Sequence, residues 1–525
     1  MERRLQDRIP LMERILRITD QPGMSIGIIY QGQKLFQHHL GFRDPESGHR
    51  PDDDTLYCIA SLTKAFITAS IDILVQEGKL SWDQQVNSIL HGTNRETKST
   101  ALSNVTLRDI CSHRTGLLSL DEITQGLDGR ILIPRSDRVR VCEALPAKHE
   151  LRSHFHYNNA LYDLAGHMIE IASGAATWGD FVIERILSPL GMSRTTPYRD
   201  VHKTDNNIAV PYKMLSDSSL FRTEPTELSA DSMNGASGGI RSSIGDMLKW
   251  SSCLLDSICE PSKPNPILRP DSPLFKRSMI VNAECVDDGD YCLGWCMHRT
   301  PAHLGSVSPN RSLESPIVGV NSPSVLLYSH QGDVPGYTCS IYIVPESRSA
   351  VVVLSNGTGL SDASDWVAQD LVQTMHQLQP TIDFGDVAAL AKDKYMGHYV
   401  DNFLRPLTTN RVFGTSSPRV DELIGSYVME GLDAVSLQIT NDPTKTDELL
   451  LIINGNAGQA WSLWHYNYDV FCYMPRSFAE YLTRGFDRCS WQSFLISFNR
   501  GELGSIVELS MMLDGGVSIK FARCG

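Results

Sequence analysis

Cys58-Ile59-Ala60-Ser61-Leu62-Thr63-Lys64-Ala65-Phe66 is the stretch on which the reading of this chain turns. Apolar residues recur after it at Phe66, Ile67, Ile71, Ile73, Leu74 and Val75, and Gly78 follows as a stop signal. The spacing predicts a helix that begins at Ser61. Residues three apart share a helix face, so the amine of Lys64 stands one turn above the hydroxyl of Ser61. Partial positive charge and open N–H groups at a helix start favour an amine over an ammonium and stabilise an oxyanion. A serine with such a base beside it can act as a nucleophile near neutral pH. By itself the pair is weak, because a serine N-cap followed by a solvated lysine gives the same pattern.

The bulk properties narrow the class. At 525 residues the chain exceeds what one core supports, so two or three domains are expected. Hydrophobic residues make up 41% and charged residues 21%, the balance of a globular protein. The formal net charge of −14 comes with no dense Lys/Arg cluster, which argues against a nucleic-acid partner. No apolar run of about 18 residues spans a membrane. Met1-Glu2-Arg3-Arg4-Leu5 leads into an amphipathic helix rather than a signal sequence. The twelve cysteines are scattered without disulfide-framework or zinc-ribbon spacing, so reduced thiols and a cytoplasmic location are expected.

Along the chain, residues 5–18 read as a helix. Ser25–Tyr30 and Lys34–Gln37 read as a hairpin turning at Gln31-Gly32-Gln33. Further helices are expected near 105–118, 158–172, 177–187, 242–255 and 361–378. Three consecutive antiparallel strands are expected at 325–328, 339–344 and 350–354. The Pro/Ser-rich stretches 260–274 and 305–324 read as surface loops, lids or insertions. Two strands at the start, three near the end and helices between them make an α+β domain, an antiparallel sheet flanked by helices with a helical subdomain, over 1–385. Over 386–525, strand-like segments at 449–453, 470–473, 494–498 and 517–521, with a hairpin signal at Asp514-Gly515-Gly516, predict an all-β domain, a small barrel or a sandwich.

Two further constellations join Ser61 and Lys64. Tyr157-Asn158-Asn159 precedes a helix; a phenol beside an amine can share its proton, and an amide two residues on can point the same way. A buried tyrosine with an Asn N-cap is the structural alternative. His330-Gln331-Gly332 ends the strand from Val325. Gly332 would let the backbone approach a ligand, the N–H of Asp333 could join that of Ser61 as an oxyanion hole, and His330 could bond a substrate carbonyl or carboxylate. A turn histidine is the alternative there. Gly235-Ala236-Ser237-Gly238-Gly239 matches a nucleophile elbow, but the polar text before it supplies no buried strand, so a tight turn near the cleft is expected. His38-His39, His154 and His156 lack metal-ligand spacing, and neither a metal nor a cofactor is expected.

Ser-x-x-Lys, Tyr-x-Asn and His-x-Gly in this order resemble the serine β-lactamase and penicillin-binding-protein superfamily, and within it the class C β-lactamase-like esterase and transesterase branch. Thr106–Leu117, Leu187–Met192 and Gly238–Ser242 resemble flanking landmarks of that family, and the likeness covers about 10–380. The resemblance implies that Ser61 is the acylated nucleophile, that Lys64 and Tyr157 move its proton, that Asn159 orients substrate, and that Ser61 and Asp333 supply oxyanion N–H groups. It implies a C-terminal lipocalin-like domain. The expected activity is that of a serine hydrolase or acyltransferase on an ester, thioester or amide of a small metabolite or peptide, with a carrier protein as one source of the acyl group. A catalytically silent binding protein on the same fold, and a true β-lactamase or D-Ala-D-Ala peptidase, are the alternatives. Two departures bear on substrate. His330 stands where β-lactamases and transpeptidases have lysine, and the Asp333 carboxylate is expected to border the oxyanion position.

Overall fold

The computed structural model describes residues 1–91, 101–126, 129–260, 262, 265–269, 272–281, 288–313, 315–443, 445, 448–484, 490–513 and 516–524. Its central element is a mixed-length antiparallel sheet of eight strands: β1 (Gly23–Tyr30), β2 (Gln33–Gly41), β3 (Met279–Ile280), β4 (Asp290–Tyr291), β5 (Cys296–Arg299), β6 (Leu326–Val334), β7 (Tyr337–Val344) and β8 (Ser349–Ser355), in the order β2-β1-β8-β7-β6-β5-β4-β3. The first strand therefore lies beside the last strand of the sheet: β1 pairs with β8, Ile26 opposite Val353. The hairpin at 31–33 forms as the sequence predicts. The three predicted late strands form too, but β6 runs on through His330 and Gly332 to Val334.

Strand alternation gives the sheet two buried faces. One carries Ile341, Ile343, Val352 and Leu354 and packs on the helical subdomain. There α2 (Thr63–Gln76) is the central helix, buried almost all round, against α4 (Asn159–Ser173) and α5 (Ile244–Cys259). The other face carries Tyr342, Val344, Val351 and Val353 and is covered by α1 (Ile9–Ile18), α6 (Ala363–His376) and α7 (Phe384–His398). The predicted helix 5–18 is broken at Asp7-Arg8, and Pro10 stands in the first turn of α1. A short helix α3 (Leu107–Cys111) has the capping box of Thr106 and Asp109.

The Pro/Ser-rich stretch 305–324 is not a lid. Its described residues fold against the start of α6, where the Asn310 side chain donates to Asp362 O at 2.8 Å. The stretch 260–274 lies partly outside the described residues. The boundary expected at 385/386 falls inside α7, whose Phe384, Ala388 and Ala391 are buried in the α1/α6 layer, so this helix packs with the first unit.

Beyond it, eight strands from Gly425–Met429 to Ser518–Arg523 pair in sequential order, and the first closes on the last, Val428 opposite Ala522. This is a closed antiparallel barrel, which resolves the choice left open between barrel and sandwich. Eight strands leave an interior that side chains can fill, and Leu437, Leu451, Trp461, Phe498 and Phe521 are among those buried. The turn residues Asp514 and Gly515 lie outside the described residues. Among the described residues no helix is long and apolar enough to cross a membrane.

Candidate active site

Ser61 sits in a single 3-10 turn, Ala60–Leu62, and α2 begins two residues later, at Thr63. The turn is held from two sides. Ile59 N donates to Ile240 O at 3.0 Å, and Thr63 Oγ1 accepts from Ile240 N at 3.1 Å. Ala60, just before the serine, has φ 46°, a left-handed conformation that costs a residue with a Cβ about 1–2 kcal/mol. Strain of this kind is retained only where neighbours over-determine it.

Lys64 is fully buried. Its Nζ lies 3.1 Å from Ser61 Oγ, 2.9 Å from Asn159 Oδ1 and 2.8 Å from Ser237 O. It also stands 4.7 Å from the centre of the Tyr157 ring and 5.2 Å from that of Tyr162. Ser61, Lys64, Tyr157 and Asn159, spread over nearly one hundred residues of sequence, thus converge. The elbow-like Gly235–Gly238 is one helical turn under the site. Its Ser237 is buried, with its hydroxyl donating to Asn234 O at 2.7 Å, and what it offers is the carbonyl that receives Lys64.

Asn158 caps α4, its Oδ1 accepting from Leu161 N at 3.1 Å, which turns the next side chain, Asn159, into the site. His113 holds this segment in place. Its backbone is left-handed (φ 56°), its carbonyl accepts from His156 N at 2.7 Å, its Nδ1 accepts from Asn158 N at 3.1 Å, and its ring lies 4.2 Å from that of Tyr157. Burial, and after it the nearby Lys64, push the His113 imidazole well below its ordinary range, so it is neutral.

The third motif is rearranged from expectation. His330 is fully buried, its Nδ1–H donating to Gln331 O at 2.7 Å, so that Nε2 accepts from Tyr291 OH at 3.0 Å. Both ring nitrogens are engaged, and His330 does not present an N–H to substrate. Burial and then Lys64 push its pKa down to about 3. Gly332 is required by protein rather than ligand: a Cβ there would lie 2.5 Å from Ile59 O, so glycine lets β6 run against the Ser61 turn.

Asp333 is corrected as well. His330 is opposite Ile341 and shares its face, whereas Asp333 belongs with Gln331 and Ser329, opposite Ser340 and Tyr342 on the α6 side. Its carboxylate therefore faces away from Ser61, and its field contributes to raising the buried Asp362 instead. The β6–β7 turn has two residues, Pro335 and Gly336, so Val334 and Tyr337 form the narrow hydrogen-bonded pair. Alternation then turns the backbone N–H of Asp333 away from β7, toward the edge that β5 leaves when its pairing stops at Ser329.

Sequence reasoning missed Asp121, His113 and Tyr291. Asp121 Oδ2 accepts from Asn159 Nδ2 at 2.8 Å. Only His113 had a signal, its place in the family-like text between Thr106 and Leu117. The histidines considered for metal are otherwise employed: His39 bonds Asp53 and Ser25, and His154 stacks on His149. Among the described residues no three His, Cys, Asp or Glu side chains are grouped as metal ligands.

A Beta-lactamase family model matches residues 11–374, and the chain belongs to that family. It is 27% identical over 361 residues to the unguisins hydrolase ungD' of Aspergillus campestris, covering 67% of this chain and 62% of that protein. The chain spans about three fifths of the length of the first curated relatives it matches. The octameric penicillin-binding protein homologue from Pyrococcus abyssi shares the fold over 98% of this chain and 99% of its own, barrel included, at 19% identity and TM-score 0.58. A class C β-lactamase from Rhodobacter sphaeroides covers 70% of this chain and 98% of its own, at 21% identity and TM-score 0.53.

Proposed function

We propose that the protein is a serine hydrolase that works through an acyl-enzyme on Ser61. The observation that carries this reading is the 3.1 Å approach of Lys64 Nζ to Ser61 Oγ, with Asn159 Oδ1 and Ser237 O as acceptors beside it. When Lys64 is neutral, those two acceptors take its N–H groups, and its lone pair can receive a proton from a hydroxyl. Ser61 Oγ attacks the carbonyl carbon as its proton passes to Lys64, with the Tyr157 phenol as the neighbouring carrier. The N–H groups of Ser61 and Asp333 stabilise the oxyanion. Collapse breaks the bond to the leaving group, which departs with the proton from the Lys64–Tyr157 pair. Water, deprotonated by the same pair, then attacks the acyl-serine and frees the acid. An alcohol or amine in place of water would make the reaction an acyl transfer.

The substrate is an ester, thioester or amide of a small metabolite or peptide, free or on a carrier protein. The neutral, buried His330 leaves the third motif without the cation that would hold a substrate carboxylate, which disfavours a β-lactam or D-Ala-D-Ala substrate. The name of the unguisins hydrolase, as of a protein similar over two thirds of this chain, supports hydrolysis as the reaction type. The eight buried cysteines among the ten described, all unpaired, support a cytoplasmic setting. A fluorophosphonate probe tests the reading: it labels the wild type and not Ser61→Ala. Absence of labelling in the wild type would favour a silent binding protein.

A further inference from the structure

Asn159 can help Lys64 only with its amide oxygen turned toward the amine. The amide is nearly symmetric in shape, so something must choose its orientation. A carboxylate is an acceptor only. Asp121 Oδ2, 2.8 Å from Asn159 Nδ2, takes the NH2 end and thereby leaves Oδ1 for Lys64. The other oxygen, Asp121 Oδ1, is buried and has no hydrogen-bond partner among the described residues, so this contact is the engagement of the carboxylate that the site records.

Asp121 opens a short helix, Asp121–Thr124, and the chain after it is laced back onto it. Gln125 N donates to Asp121 O at 2.8 Å, and Leu132 N donates to Thr124 O at 3.1 Å. The far side of this segment meets the barrel. Asn454 Nδ2 donates to Leu132 O at 2.8 Å. Asn454 is itself anchored to the barrel, its Oδ1 accepting from Ser436 N at 2.7 Å and its N donating to Ser436 O at 2.8 Å. Gly126 is backed onto the buried Gln459, so closely that a Cβ on it would lie 2.1 Å from Gln459 Oε1. Contacts therefore run from the barrel hairpin through Leu132 and Thr124 to the helix that bears Asp121, and on to Asn159, Lys64 and Ser61.

We propose that Asp121 is a positioning residue that orients the Asn159 amide toward Lys64, and that the barrel hairpin bearing Asn454 and Gln459 holds the segment that carries Asp121. The C-terminal barrel is thus part of what keeps the nucleophile's base in place, rather than a separate module. The inference rests on the acyl-enzyme reading above.

The test is a double-mutant cycle on the full chain with p-nitrophenyl butyrate as acyl donor. Loss of a hydrogen bond between charged and polar groups predicts that Asp121→Ala lowers kcat about tenfold to a hundredfold, with KM within about twofold. Asp121→Asn, which keeps the shape but can turn either end toward Asn159, recovers part of the loss. In an Asn159→Ala background Asp121→Ala adds nothing, because the amide it orients is gone. Asn454→Gly paired with Gln459→Ala keeps the left-handed backbone at Asn454 (φ 49°) and lowers kcat by a few-fold in the wild type, but not in Asp121→Ala. Equal losses from Asp121→Ala with and without Asn159 would overturn the proposal while leaving the Ser61 reading intact. A wild type whose Ser61 takes no fluorophosphonate would overturn both.

Discussion

Acidification should weaken this protein partly through His330, by an amount that can be worked out. The ring is fully buried, donates from Nδ1 to Gln331 O and accepts at Nε2 from Tyr291 OH. A second proton would have to sit where the phenol now points, close to Lys64. The folded pKa is therefore pushed to about 3 from an ordinary 6.5. Between those values the unfolded chain holds a proton that the folded chain rejects, so stability is complete above about pH 6.5 and falls as pH drops toward 3. At pH 5 the difference amounts to about 2 kcal/mol relative to pH 8, and this figure hardly changes for any folded value below 4. The perturbation is His330→Gln, read by urea unfolding of wild type and variant at pH 8 and pH 5. The variant will be less stable at pH 8, because it loses the fitted ring. Its further loss on acidification should be smaller than that of the wild type by about 2 kcal/mol. His113, His202 and His298 also have lowered pKa values, but they remain in both proteins and cancel in the comparison. Equal losses in wild type and variant would refute the argument, since His330 would then be charged or accessible in the folded state.

Other expectations follow from the same geometry. Tyr157→Phe keeps the ring on His113 and should leave the unfolding free energy within about 1 kcal/mol of wild type. It removes the phenolic proton and should lower kcat/KM about a hundredfold to ten-thousandfold in an ester assay; an unchanged rate would take Tyr157 out of the proton path. Gly332→Ala forces a methyl to 2.5 Å from Ile59 O and 2.9 Å from Cys339 Sγ. It should destabilise the protein by about 1–3 kcal/mol and, by displacing the turn before Ser61, suppress fluorophosphonate labelling. Normal labelling of a folded Gly332→Ala protein would show that the turn tolerates the shift.

Much of this arrangement was legible in the sequence, and the parts that were not share a cause. Ser61, Lys64, Tyr157 and Asn159, which the structure brings together, are legible because short spacings and helix starts are local signals. The long strands and helices are likewise carried by apolar periodicity. β3, β4 and β5 are two to four residues long and follow a Pro/Ser-rich stretch, so no period can reveal them. Asp121 was unreadable because its partner is 38 residues away and the contact exists only after α4 has docked. The reading of Asp333 as a carboxylate beside the oxyanion failed on parity: one residue along a strand is the opposite face, and Gly332 had already claimed the near one. At 385/386 the composition changes while the helix, α7, continues, its Phe384, Ala388 and Ala391 on the first core.

The central claim is that Ser61 carries the acyl group. Intact-protein mass measurement after rapid mixing with a short-chain acyl ester tests it most directly. The account predicts a transient mass increase of one acyl group in the wild type, mapped to the peptide containing Ser61 and absent from Ser61→Ala. Turnover of the ester by Ser61→Ala at the wild-type rate, or an adduct mapped elsewhere, would contradict it.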